Sequence, residues 1–319
     1  MLQRRGLLAL IASLPVFGRS AEPGPPSFEL VPQPLVEQEL RFHLERRTTR
    51  DGSVVQRYRM PVSVKVVDVT LDGTLLRWTE GEAEVLDADP QRRPQLAIGL
   101  SLMRDVPLEV RLDALGRVQA LDNVADVRRA CLGMVDRLLT SMAVGGEQRA
   151  FVDAMRPAWM AAFATEHAVA VASLKEPQLL LGAMGRRFGA DEPVQFRTEL
   201  DSPFGDTLPA IARFSIRGVQ RRSNRAELGW LMVSDPAATT SLARAAVGTA
   251  TAIAAAAPSG TIAHDVPEIP SVALEERGDF IIDTRTSWPI AVTHIRHVIA
   301  GAYSQTDATS FTSRQGPRA

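Results

Sequence analysis

Two-residue alternation of apolar and polar side chains, interrupted by short turns, most constrains how this chain can fold. Successive side chains of a strand point to opposite faces, so such alternation marks a strand with one buried and one wet face. Leu40, Phe42 and Leu44 interleave with Arg41, His43 and Glu45. Asp51-Gly52 then predicts a turn. Val62, Val64 and Val66 alternate with Ser63 and Lys65 up to a second turn at Asp72-Gly73, and Leu76 and Trp78 share one face of the returning strand. A further hairpin places Leu108, Val110 and Leu112 against Val118 and Leu121 across Leu115-Gly116. Strands joined by turns this short pair antiparallel.

The middle of the chain changes period. Residues 92–105 read as a short helix. Asp122 or Asn123 then caps a helix whose Val124, Val127, Cys131, Val135, Leu138 and Met142 form one stripe ending at Gly145-Gly146. Phe151, Met155, Trp159 and Phe163 mark a second helix, with Pro157 as a kink. A third holds residues 167–173 and is interrupted by Pro177. Strands resume with Val194 and Phe196, pass a loop around Pro203-Phe204-Gly205, and pair 211–219 with 228–233 across an arginine-rich turn at Ser223-Asn224. Asp235-Pro236 opens an alanine-rich helix that Pro258 and Gly260 end. Segments 272–276, 280–283 and 290–297 form a last meander, turning at Gly278 and near Ser287.

Hairpin-linked runs of strands around central helices predict an α+β fold, in which antiparallel β-meanders form a curved sheet packed against those helices. One α+β domain is expected over 36–303, the alternative being two halves at about 36–180 and 181–303. Residues 21–35, rich in proline, are expected as an extended leader outside the core, and 304–319 as a mobile polar tail.

The first twenty residues are laid out as a secretory signal peptide. Arg4 and Arg5 precede an uncharged run at 6–17, and Gly18 and Ser20 supply small residues for cleavage near Ser20. A periplasmic location is therefore expected, by the general or the twin-arginine route. No later segment is long and apolar enough for a transmembrane span. Losing Arg4, Arg5 and Arg19 from 36 basic residues against 37 acidic ones leaves a net charge of −4. A chain so charged lacks the positive field that nucleic-acid binding requires. Its one cysteine, Cys131, excludes an intramolecular disulfide and a Cys-based zinc site.

Motifs for chemistry are scarce. Gly99-Leu100-Ser101 lacks the second glycine of a nucleophile elbow. His294 and His297, three apart on a strand, face opposite ways and make no joint metal site. His264-Asp265 is the one pair suited to acid–base work, and Glu80, Glu82 and Glu84 read as an exposed acidic strip. Gly182-Ala183-Met184-Gly185 lacks the lysine of a phosphate loop. Trp78, Trp159, Trp230 and Trp288 are the candidates for lining a shared apolar cleft. The sequence thus points to a non-catalytic periplasmic binding or carrier protein for a lipid or other hydrophobic ligand, with no cofactor and no metal. In layout alone, with no shared motif, the chain resembles exported lipoprotein-carrier half-barrels. An envelope structural or adaptor protein holding another protein is the alternative, and an exported hydrolase built around His264-Asp265 a second one.

Overall fold

The computed structural model describes residues 27–90, 92–102, 104, 106–142, 146–161, 163–189, 193–201, 207–255 and 271–314. The signal-peptide region, His264-Asp265, the Pro203-Phe204-Gly205 loop and the Pro258 and Gly260 stop lie outside them.

Strand β1 (Ser27–Glu29) is followed by the long strands β2 (Glu39–Arg50) and β3 (Ser53–Val69), then β4 (Gly73–Glu80) and β5 (Glu84–Ala88). Helix α1 (Arg93–Leu102) leads to the hairpin β6 (Leu108–Asp113) and β7 (Val118–Leu121). Helices α2 (Val124–Met142), α3 (Gly146–Ala161) and α4 (Glu166–Leu181) fill the middle of the chain. After β8 (Arg187–Gly189) come β9 (Val194–Asp201), β10 (Thr207–Gln220) and β11 (Arg225–Ser234). Helix α5 (Pro236–Ala255) precedes β12 (Val272–Asp283), β13 (Pro289–Ala300) and β14 (Tyr303–Ser313).

The expected α+β fold is observed. Twelve strands form one open, curved antiparallel sheet in the order β7-β6-β4-β3-β2-β14-β13-β12-β11-β10-β9, with β5 also paired to β3. The alternation seen in sequence sets its two faces. Phe42, Leu44, Met60, Val62, Val64, Trp78 and Val110 point inward with Phe214, Leu228, Phe280 and Val292, and α4 packs its Val169, Leu174, Leu180 and Leu181 into the same core. No helix among the described residues is long and apolar enough to cross a membrane.

Local chemistry explains most element ends. Asp235 caps α5 as expected, its carboxylate accepting from the backbone of Ala237 (2.8 Å) and Ala238 (3.1 Å), with Pro236 in the first helical position. Asn123 precedes α2 but turns its amide to β6, accepting from Glu109 N at 2.9 Å and donating to Pro107 O at 2.8 Å. Helix α4 starts at a cap the sequence reading missed, Thr165, whose hydroxyl accepts from Ala168 N at 3.1 Å. It also runs through Pro177 instead of stopping there. The ring removes one backbone bond, and burial of Leu174, Leu180 and Leu181 on either side outweighs it.

Three expectations need correcting. The segment expected as a mobile tail is strand β14 up to Ser313, seated between β2 and β13 near the middle of the sheet. Its polar composition misled because its inward neighbours are polar too. Asp307 stands opposite Thr48 and Arg296, accepting from Thr48 Oγ1 at 2.7 Å and Gln305 Nε2 at 2.9 Å. The expected leader is in part core: Leu30 is only 1% exposed, and its backbone N donates to Arg186 O at 3.0 Å while its carbonyl accepts from Gly185 N at 2.8 Å. Gly278 is not a turn. Strand β12 passes straight through it, because residue 278 is where a neighbouring side chain crosses the backbone, as described below.

A chain stopped after Gly301 would leave the backbone edges of β2 and β13 open in the interior of the sheet. Thermal unfolding of that chain should lose its cooperative transition, and size-exclusion chromatography should show aggregate. A truncated protein that stays monomeric with an unchanged melting curve would refute the central role of β14.

Candidate functional site

Helix α4 lies over the inner face of the sheet and separates two hollows. Ala172, Ser173 and Glu176 on one flank border a hollow of about 220 Å³, and Lys175, Gln178 and Leu179 on the other border one of about 250 Å³. Helical periodicity puts these two sets on adjoining sides of one helix.

The larger hollow is built from register. Phe214 on β10 stands opposite Trp230 on β11, Trp230 opposite Gly278 on β12, and Gly278 opposite His294 on β13. With no side chain at 278, the indole leans across the strand and stacks on the imidazole, centroids 5.5 Å apart and planes 7° from parallel. A Cβ at 278 would collide with the Thr293 carbonyl and the indole nitrogen of Trp230. On the other side Trp230 stacks on Phe214 (6.1 Å, 16°), and Phe214 stacks on Phe196 of β9 (6.1 Å, 13°) and on Phe280 (6.4 Å, 27°). Four strands thus lay a floor of rings beneath the hollow.

One register row away the inner face is ionic. Glu276 on β12 stands opposite Arg296 on β13, which stands opposite Asp307 and then Thr48. Glu276 bridges two partners, Oε2 meeting His294 Nε2 at 3.0 Å and Oε1 facing Arg296 Nε at 3.6 Å. His294 is 3% exposed, and buried groups of this kind persist only when paired.

Arg186, between α4 and β8, closes the rim. Its Nε donates to Gly182 O at 3.0 Å, and its guanidinium lies over Phe196 (4.5 Å) and Phe214 (4.6 Å). Among the described residues no carboxylate forms an ion pair with it. Burial, and secondarily the positive charge of Arg117, pull its pKa below the ordinary arginine value. The ribbon of β1 with β8, together with the Leu30 bonds to Gly185 N and Arg186 O, holds the backbone that carries this side chain.

The smaller hollow is framed by Leu44, Tyr58, Met60, Trp78 and Cys131. Arg46 pairs with Glu176 at 3.0 Å, and Trp78 Nε1 donates to Glu80 Oε1 at 3.3 Å. Glu80 is therefore no member of an exposed strip: it ends β4 with its carboxyl inside, and Glu82 and Glu84 lie beyond that strand. Burial, reinforced by the charge of Glu176, raises its pKa to about 7. Burial also raises the Cys131 thiol, as befits a core position on α2.

The four tryptophans are not brought together. Trp78 lines the smaller hollow, edge-on to Phe311 at 5.9 Å, and Trp230 the larger one. Trp159 is 37% exposed on α3, and Trp288 is buried at the turn between β12 and β13. The sequence reading missed Arg186, Phe214, Glu276 and Arg296. The available signal was polar residues in inward slots: Glu276 follows Leu274, and His294 and Arg296 follow Val292, at the two-residue period of buried positions. His294 and His297 do face opposite sides of β13. Among the described residues no group of three or more side chains gathers to hold a metal ion.

No protein-family model matches this sequence. No curated protein matches it either. Among solved structures, one described by lipid–protein interactions in lipovitellin is similar over 88% of this chain, with 9% identity and a TM-score of 0.37. This chain spans 25% of that chain's length.

Two outcomes are expected from these contacts. Gly278→Ala forces the indole off His294 and should destabilise the fold by about 1–3 kcal/mol, read by chemical denaturation. A carboxyl whose folded pKa is raised from 4.5 to about 7 holds its proton longer folded than unfolded, so its contribution to stability falls as pH rises between those values. Glu80→Gln should therefore flatten stability between pH 4.5 and 7 and raise it by about 1–3 kcal/mol at pH 8. An unchanged pH profile would refute the buried position of that carboxyl.

Proposed function

We propose that this chain is an exported, non-catalytic binding or carrier protein whose concave face takes a hydrophobic ligand in the hollow between α4 and strands β9–β13. One observation carries the reading: the hollow is floored by Phe196, Phe214, Phe280 and Trp230, three of them stacked around Phe214, and is open at a rim. Phe214 and Phe280 are buried while Phe196 and Trp230 are only half-buried, and an apolar ligand in the hollow would complete the burial of those two rings. The signal-peptide layout of residues 1–20 supports export to the periplasm. Purification of the protein from its own envelope should give a periplasmic form beginning at Ala21 or Glu22.

The adaptor reading has less behind it. Ile211, Leu231 and Val233 are exposed on the outer face, yet Arg213, Glu275 and Arg277 are set among them as cross-strand neighbours. Ile211 and Val233 pair directly, with Leu231 beside them, and this small apolar group flanked by charges falls short of an extended docking patch.

The mature chain should bind the neutral fluorophore N-phenyl-1-naphthylamine saturably and at one site. Thr198 on β9 borders the hollow, and Thr198→Trp places a bulky ring in it at a half-buried strand position that tolerates aromatics. That variant should bind about tenfold more weakly, or ~1.4 kcal/mol, with its melting temperature unchanged. Non-saturating fluorescence, or equal affinity in the variant, would remove the hollow as the site. Native mass spectrometry of the envelope-derived protein should show a reproducible small bound mass, and a bound protein in its place would favour the adaptor.

A further inference from the structure

The hollow also indicates the polarity of what it holds. We propose that its ligand is an amphiphile with an anionic head, a carboxylate or a phosphate monoester, received by Arg186 while the apolar body lies on the rings. This deepens the proposed function and rests on it.

The argument is one of charge and geometry. The hollow is bordered by Lys175, Arg186 and Arg296 against Glu199 and Glu276. Glu276 is already shared between Arg296 and His294, and Glu199 is exposed on edge strand β9. Arg186 and Lys175 both stand without a carboxylate partner among the described residues; of the two, Arg186 is the one set over the aromatic floor, and its neighbour Arg117 adds positive charge instead of relieving it. Its Nε is occupied by Gly182 O, and its Cζ lies over Phe196 (4.5 Å) and Phe214 (4.6 Å). With Nε engaged, the Nη donors of the guanidinium remain to receive a partner that approaches in the plane of the group. Two oxygens of a carboxylate or phosphate match that fork, whereas a hydroxyl supplies one acceptor and no charge, and an ammonium is repelled. The rings under Arg186 continue as the floor of the hollow, so head and body of one molecule reach both surfaces together.

The test is displacement of N-phenyl-1-naphthylamine from the mature full chain by four eight-carbon probes: octanoate, octyl phosphate, 1-octanol and octylammonium. The anionic probes should displace at concentrations about tenfold or more below octanol, with octylammonium weakest. The tighter of the two anions identifies the head, a fatty-acid carboxylate or a phosphate. Arg186→Gln should bring both anions to the level of octanol measured in the same variant, and Arg186→Lys should restore part of the difference. Octanol matching the anions in the unaltered protein overturns this inference and leaves the hydrophobic site standing, whereas a fluorophore that does not bind at all removes the reading beneath it. Should Arg186→Gln fail to fold, the probe ranking in the unaltered protein at low and high salt decides: an anion preference that salt weakens supports the inference, and no preference overturns it.

Discussion

The pairing of β14 with β2 on one side and β13 on the other is the constraint on which the rest of the structure depends. Strands β2 to β7 come from the first part of the chain and β9 to β13 from the last, and only this double ladder makes them one sheet. Were the two sets separate, each would present a long open edge, and the concave face over which α4 lies would not exist. Both hollows take their floors from that face and a wall from that helix, the larger from β9 to β13 and the smaller from the first set of strands.

The join also accounts for the ionic row on the inner face. Gln56, Thr48, Asp307, Arg296 and Glu276 occupy directly opposed positions on five neighbouring strands, passing through β14. Hydrophobic residues there would bury more apolar area at less desolvation cost. The polar row instead holds side chains in fixed geometry through reciprocal contacts, with Glu276 fixing His294 beneath the Trp230 indole. The hollow therefore combines a polar flank with an aromatic floor.

Much of this was legible in the sequence, and the failures have physical causes. Alternation in the segments around Phe42, Val64 and Val110 gave the sheet and its buried face, because one-faced strands must alternate. Asp235-Pro236 marked the start of α5, because capping is local chemistry. What was not legible depended on distant partners. The polar strand β14 looks like a tail until Thr48 and Arg296 are set beside Asp307. Gly278 looks like a turn until the Trp230 indole is laid across it. The tryptophans, conspicuous by size, proved poorer guides to the site than Arg186, an ordinary residue in an arginine-rich chain that becomes unusual only when its surroundings are known.

The position of β14 in chain order has a consequence in time. A sheet whose linking strand follows every other described strand in the chain is completed only after those strands have been made, and its ladder to β2 joins residues some 260 positions apart, as in the pair Thr48 and Asp307. Contacts this remote in sequence form late and slowly. Until they do, β2 and β13 keep open edges, and the incomplete sheet is exposed to pairing with other chains.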